Sequence, residues 1–279
     1  MELHDHGLAS DLELMRQATE RRQVLRWLLA GAATLPLLSC GGSSDASDTA
    51  AGSNAGTVTI PTTGACTVIP EETGGPYPAD GTNTNGGSII NVLNQSGVVR
   101  SDIRASFNGA TGAAAGVPLT IQLQLLNASG GCASLAGYAV YVWHCDRDGL
   151  YSLYSSGVTA QNYLRGVQET DSAGSLSFTT IFPGCYAGRM PHVHFEIYPS
   201  LAKAASASNR IKTSQFTFPM ATLNEAYAAG GYTASVRNLA QVSYATDNVF
   251  SDGISLQMAT VTGNVTDGYV ATLVIAVNG

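Results

Sequence analysis

The stretch "FTTIFPGCYAGRMPHVHFEIY", residues 178–198, decides how this chain is read. Two runs rich in branched and aromatic side chains, "FTTIF" and "HVHFEIY", flank a turn signal at Pro183–Gly184. Such runs suit a pleated, half-buried surface and predict strands. Alternate residues of a strand face one side, so His192 and His194 present both imidazoles to the same face.

The same texture recurs outward from this stretch. It appears in "PLTIQLQLLN" (118–127), "AGYAVYVWHC" (136–145), "GSLSFTTIF" (174–182), "TSQFTFP" (213–219) and "GYVATLVIAV" (268–277). Turn signals lie between them: "NASGG", "DRDG", "DSAG", "FPG" and "NVTDG". A helical pattern is clear in "MATLNEAYAAGG" (220–231), and a second run covers 233–241. Many short strands separated by polar turns predict an all-β sandwich or barrel rather than alternating βα units. There is no internal repeat and no phosphate-binding glycine loop with its lysine and following helix.

Composition narrows the function. The 279 residues are 44% hydrophobic and 12% charged, ample for one domain with a sizeable core. A net charge of −7 argues against nucleic acid as a partner, which would need a basic face.

The first forty residues read as an export signal. "RRQVLRWLLAGAATLPLLSC" sets Arg21, Arg22 and Arg26 before an apolar run too short to span a membrane comfortably. "RRQVLR" resembles a twin-arginine export motif, and "LLSC" followed by Gly41 and Gly42 resembles a bacterial lipobox, making Cys40 the candidate lipidation site. An ordinary cleaved signal and a membrane-anchored helix are the alternatives. The expected layout is a signal at 1–40, a flexible polar tether at 41–56 ("GGSSDASDTAAGSNAG") and one domain at 57–279. The expected location is outside the bacterial cytoplasm, either membrane-tethered or periplasmic to extracellular.

Four cysteines follow the signal: Cys66, Cys132, Cys145 and Cys185. An even number in an exported chain predicts two disulfides, with three pairings open. No CxxC spacing supports a cysteine metal site.

The domain contains three histidines, His144, His192 and His194. His144 alternates with Val142 and Val140 and reads as a buried structural residue. Two imidazoles on one face are half of a metal site. Zinc would call for a third histidine, a cysteine or a carboxylate. An iron(II) facial triad would need Glu196, but ligands strung along one strand lie about 6.6 Å apart for each pair of residues. Tyrosine near the pair favours a hard trivalent ion, since phenolate is a hard anionic donor known on iron.

The motifs "WHCDRDGLYSLY" (143–154), "NYLRGVQETDSAG" (162–174), "FTTIFPGCYAGRMPHVHFEIY" (178–198) and "TSQFTFP" (213–219) together resemble the intradiol ring-cleavage dioxygenases. The likeness is to the exported, protocatechuate-dioxygenase-like branch and runs in order over about residues 66–277. It implies a β-sandwich and a non-haem iron(III) held by Tyr151, Tyr186, His192 and His194. It further implies that Tyr186 leaves the metal when substrate binds, that Arg189 steadies charge developing on the substrate, and that Gln215 lies beside the same pocket. "EETGGPYP" (71–78) makes Thr73, Gly75, Pro76 and Tyr77 candidates for the pocket wall, with Arg165 a candidate partner for a carboxylated substrate. Tyr154 and Tyr163 compete with Tyr151 on residue type alone, and family spacing is the reason for choosing Tyr151. A disulfide at Cys185 would brace the loop carrying Tyr186.

The implied reaction inserts O2 between the two hydroxylated carbons of a catechol, giving a cis,cis-muconate-type product. Protocatechuate and catechol are both possible substrates, and the relatives' habit makes an oligomer possible. The rival readings are a non-catalytic exported sandwich that binds aromatics or polysaccharide, and a metal-dependent hydrolase.

Overall fold

The computed structural model describes residues 66–279. The export signal, the tether, Cys40 and residues 57–65 lie outside the described residues. Among the described residues, no helix is long and apolar enough to cross a membrane.

The fold is an all-β sandwich. One sheet is built on β3 (Pro118–Asn127), which pairs in parallel with β11 (Gly268–Val277). The short β10 (Thr260–Asn264) forms a hairpin with β11. On its other edge β3 pairs with β7 (Ser175–Ile181) and, at its end, with β4 (Ala133–Ser134). The second sheet has the order β6-β5-β8-β9 and is antiparallel throughout. Its strands are β5 (Ala139–Trp143), β6 (Arg165–Glu169), β8 (His192–Tyr198) and β9 (Lys212–Thr217). A hairpin of β1 (Asp80–Asn85) and β2 (Ser88–Asn91) stands apart from both sheets.

Strand β3 alternates as its sequence demands: Leu119, Ile121, Leu123 and Leu125 are buried. They pack with Val140 and Val142 of β5, Val193, Phe195 and Ile197 of β8, and Phe216 of β9 in one core. Every residue of β5 and β8 is buried, because the second sheet is covered on both faces. Its inner face makes the core. Its outer face belongs to a second cluster in which Tyr141 and Trp143 meet Tyr77, Tyr151 and Tyr186.

Two helices, α1 (Met220–Tyr227) and α2 (Thr233–Leu239), follow β9. Their surroundings clamp the turn after β7. Tyr227 Oη donates to the Pro183 carbonyl at 2.9 Å and Tyr232 Oη to the Phe182 carbonyl at 2.8 Å. Asn238 donates to the Cys185 carbonyl at 2.8 Å, and Ser235 Oγ accepts the Cys185 N–H at 2.9 Å.

The expectation of two disulfides is corrected to one. Cys66 is bonded to Cys132, which ties the start of the described chain to the loop after β3. Cys145 and Cys185 are free buried thiols. Each points at backbone oxygen: Cys145 Sγ at the Gly184 carbonyl (3.5 Å) and Cys185 Sγ at the Arg189 carbonyl (3.4 Å). The turn carrying Tyr186 is therefore braced by hydrogen bonds from the helices, not by a disulfide at Cys185.

Candidate metal centre and recess

β8 starts at His192 and puts His192, His194 and Glu196 on the outer face, where neighbours across the sheet are fixed by register. Trp143 of β5 lies opposite His194, and Gln215 of β9 lies opposite it on the other side. The Trp143 and His194 rings stack with centroids 4.9 Å apart and planes 2° from parallel. That contact sets the His194 ring plane.

The two tyrosines arrive on interlocked loops. The "DRDG" turn is closed by Asp146, whose Oδ1 accepts the N–H groups of Asp148 and Leu150 at 3.0 Å each. Gly184 meets this turn so closely that a Cβ there would sit 2.6 Å from the Asp146 carbonyl oxygen. In return, a Cβ on Gly149, which has φ +84°, would sit 3.0 Å from Tyr186 Cβ. Both glycines are required by this close approach. The turn releases the chain at Tyr151, which is buried, while Tyr186 is only half-buried and is followed by exposed Ala187 and Gly188.

The four side chains converge. His192 Nε2 is 3.1 Å from His194 Nε2, 3.4 Å from Tyr151 Oη and 3.3 Å from Tyr186 Oη. His192 Nδ1 lies 2.6 Å from the Met190 carbonyl, which can only accept, so the ring proton sits on Nδ1 and Nε2 presents a lone pair. Burial, followed by the charge of Arg189, holds His192 well below the ordinary histidine range. Burial, His192 and Arg189 do the same to His194. The unprotonated His192 Nε2 thus has a second imidazole and two phenol oxygens within 3.4 Å, a grouping of donor atoms that a cation can take up. Two neutral imidazoles and two potential phenolates form a hard donor set that fits iron(III).

The competing tyrosines are engaged elsewhere. Tyr154 Oη donates to Asn83 at 2.8 Å, and Tyr163 Oη donates to Asp146 at 3.0 Å. His144 is buried and satisfied: Nδ1 donates to the Cys145 carbonyl (2.8 Å) and Nε2 accepts from Thr180 Oγ1 (2.7 Å). Glu196 faces away from the histidines toward Tyr198 Oη (2.6 Å) and Arg210 (2.9 Å).

Beside these donors is a narrow recess lined by Gly74, Gly75, Pro76, Tyr77, Tyr151, Tyr186, Arg189 and His194. The 73–77 segment is shaped locally, with Thr73 Oγ1 accepting the Gly75 N–H at 3.0 Å and Gly75 at φ +65°. Tyr77 packs on Tyr151 and Tyr154, with centroids 5.1 and 5.0 Å away. Thr73 is a shaping residue rather than a lining one, and its carbonyl accepts Gln215 Nε2 at 2.7 Å.

Arg189 is 3% exposed; its Nε donates to Asp247 (3.0 Å) and its Nη2 to Gln215 Oε1 (2.7 Å). Arg165 is buried but does not line the recess. Its donors go to Ser152 Oγ (3.1 Å), the Ser152 carbonyl (3.0 Å), the Pro78 carbonyl (3.1 Å) and Tyr141 Oη (3.1 Å). It brackets the Tyr151 loop to the Tyr77 loop. Sequence reasoning missed two residues here. Trp143 stands inside the "WHCD" motif without an assigned role, and Asp247 carries no local signal at all.

Residues 99–207 match a family model described as Dioxygenase, and this segment includes Tyr151, Tyr186, Arg189, His192 and His194. Among solved structures, the fold is similar to an intradiol ring-cleavage dioxygenase from Tetranychus urticae (TM-score 0.57, 23% identity, 76% of this chain and 95% of that one). A second dioxygenase crystal structure matches at TM-score 0.56 and 23% identity, again over 76% of this chain and 95% of that one. The dioxygenase domain of a dioxygenase–carbohydrate-binding fusion from Streptomyces sp. SirexAA-E aligns at TM-score 0.47 and 22% identity, over 76% of this chain and 99% of that one. No curated protein matches the sequence. Residues 99–207 thus match a dioxygenase family model, and the fold is similar to that of an intradiol ring-cleavage dioxygenase.

Proposed function

We propose that the domain is an iron(III)-dependent intradiol dioxygenase that opens a catechol-type ring between its two hydroxylated carbons. The observation that carries this reading is the convergence of Tyr151, Tyr186 and His194 on the unprotonated Nε2 of His192. Both atoms of O2 end in the product, a cis,cis-muconate-type dicarboxylate, so the reaction balances without an external reductant. When bound, the ferric ion supplies the site for both catechol oxygens and the electron demand that opens the ring to O2.

The chain's own groups supply the rest. Tyr186, half-buried beside exposed Ala187 and Gly188, is the donor able to swing away, and its Oη then takes a substrate proton. Tyr151, buried and held from behind by its backbone N–H on Ser155 Oγ (2.9 Å), stays. Pro76 and Tyr77 line the recess. Arg189 lies at its wall, where a fixed guanidinium in a dry site stabilises charge as it develops.

The recess favours a catechol without an ionised substituent. Arg189, a lining residue, is already paired with Asp247, and Arg165 is bound to Ser152, Pro78 and Tyr141. A substrate carboxylate entering there would be desolvated without a dedicated counter-charge among the described residues. The export pattern of residues 1–40 supports a placement of this chemistry outside the cytoplasm.

The test is the visible spectrum of iron-loaded residues 57–279 before and after anaerobic catechol. Phenolate on iron(III) absorbs visible light, so a coloured protein whose band shifts with catechol supports the reading. A protein that stays colourless after iron reconstitution overturns it.

A further inference from the structure

Asp247 is a buried carboxylate that the roles above leave without a function. It lies between α2 and a short 3₁₀ turn, Phe250–Asp252, and is fully buried. Its Oδ1 accepts the N–H groups of Val249 (2.8 Å) and Phe250 (3.1 Å). Its Oδ2 accepts Arg189 Nε (3.0 Å) and the Met190 N–H (2.7 Å). A carboxylate with both oxygens doubly engaged has one available orientation.

Two consequences follow for the recess. The guanidinium plane of Arg189 is defined by two fixed acceptors, Asp247 on Nε and Gln215 on Nη2. Gln215 is itself immobilised, its Nε2 donating to the Thr73 carbonyl (2.7 Å) while its backbone carbonyl accepts Gln257 Nε2 (2.9 Å). Met190, meanwhile, is held at its N–H by Asp247 and receives His192 Nδ1 at its carbonyl. One carboxylate thus fixes both the residue that orients His192 and the arginine at the recess wall. Phe250, brought in by the Asp247 turn, lies with its ring 5.9 Å from Arg189 Cζ and 6.4 Å from the His192 ring.

We propose that Asp247 is a positioning residue for this site: it sets the plane of the Arg189 guanidinium and, through Met190, the His192 ring. The inference rests on the dioxygenase reading for its catalytic readout only. A mere internal ion pair would contribute to folding and nothing more, since such pairs are weak evidence even for stability.

The experiment is a cycle of Asp247→Asn, Arg189→Gln and the double variant in the iron-loaded protein, with catechol as substrate. An amide of the same size has a single acceptor oxygen and cannot serve both pairs of donors. Asp247→Asn is expected to lower kcat by about 10- to 100-fold with a smaller change in KM, and to cost less in the Arg189→Gln background than in the wild type, where only the route through Met190 and His192 is left to lose. Losses that multiply, or an Asp247→Asn enzyme with wild-type kcat, overturn the proposal.

A second readout needs neither iron nor turnover. In metal-free protein labelled with 15N-arginine, the Arg189 Nε–H signal, assigned through Arg189→Lys, should exchange slowly with solvent. Asp247→Asn should accelerate it by at least about tenfold. An Arg189 Nε–H that exchanges in the wild type as fast as that of exposed Arg237 overturns the proposal, even where Asp247→Asn does not fold. Slow exchange that Asp247→Asn abolishes, in a protein that cleaves no catechol, upholds the positioning of Arg189 and instead removes the dioxygenase reading.

Discussion

Gly149 lies against Tyr186: a Cβ built on the glycine would come within 3.0 Å of the tyrosine Cβ. The contact joins the turn that delivers Tyr151 to the turn that delivers Tyr186, so the spacing of the two phenols depends on a residue with no functional group. At φ +84° the backbone also disfavours any L side chain. Gly149→Ala is expected to destabilise the domain by more than about 1 kcal/mol and to displace Tyr186. Thermal unfolding reads the first effect, and a shift in the visible band of the iron-loaded protein reads the second. An alanine variant with wild-type stability and spectrum would show the interlock to be dispensable.

The donor set makes its own prediction. Tyr151→Phe, His192→Ala and His194→Ala each remove one donor from the group around His192 Nε2. Iron content after reconstitution and desalting should fall from near one ion per chain to a small fraction. Tyr186→Phe should retain more iron than Tyr151→Phe, because the Tyr186 side chain is half-buried on a loop with exposed neighbours. Metal analysis together with visible absorbance checks the order, and equal iron in all four variants would contradict the assignment.

Much of the fold, and the strand face that groups the two candidate histidines, was legible in the sequence, for identifiable reasons. β3, β8 and β11 are long, strongly patterned strands, and their limits match the runs read from the chain. The H-x-H pair is readable because strand periodicity alone puts both rings on one face. Strand β6, "RGVQE", is short and owes its burial to pairing with β5 rather than to apolar pattern. The β1–β2 hairpin is polar and glycine-rich, and β10 is largely exposed. Asp247 stands 58 residues from Arg189, and no local spacing joins them. Cysteine parity misled because Cys145 and Cys185 are held as buried thiols by nearby carbonyls.

Those thiols can be counted. In residues 57–279, Cys66 and Cys132 are joined, and Cys145 and Cys185 are each 1% exposed. Burial raises both thiols, Cys185 to about 12, which further suppresses the reactive thiolate. A chromogenic disulfide reagent should find almost no thiol in the folded protein, two after denaturation without reductant, and four after reduction. Four unreactive cysteines in denaturant without reductant would mean a second disulfide.

Acid should destabilise the domain through His144. Burial is the larger cause of its low folded-state pKa, about 4 against an ordinary 6.5, with the Arg165 charge adding to it. Below 6.5 the unfolded chain takes up a proton that the folded imidazole refuses, because burial penalises its charged form. Stability is therefore fully present above pH 6.5 and is lost as pH falls toward 4, by about 3 kcal/mol for this group. Urea unfolding of metal-free protein between these limits measures the slope. His192 and His194 act in the same direction, so His144→Gln should reduce the proton uptake on unfolding by up to one without abolishing it. An unchanged slope in that variant would show that His144 is not held neutral.

Substrate charge provides the last prediction. The narrow recess is walled by Gly74, Gly75, Pro76 and Tyr77, and its Arg189 is neutralised by Asp247 at 3.0 Å. A carboxylate on the ring would have to be buried there unpaired or draw Arg189 away from Asp247, and either costs binding free energy. For iron-loaded protein, kcat/KM for catechol should exceed that for protocatechuate by at least about tenfold, since 1.4 kcal/mol suffices for that ratio. Placing a cation at the wall through Tyr77→Arg should narrow the gap by raising the protocatechuate value. A wild-type preference for protocatechuate would mean that Arg189 leaves Asp247 to meet the substrate. Asp247→Asn would then improve protocatechuate relative to catechol, the opposite of a variant that harms both alike.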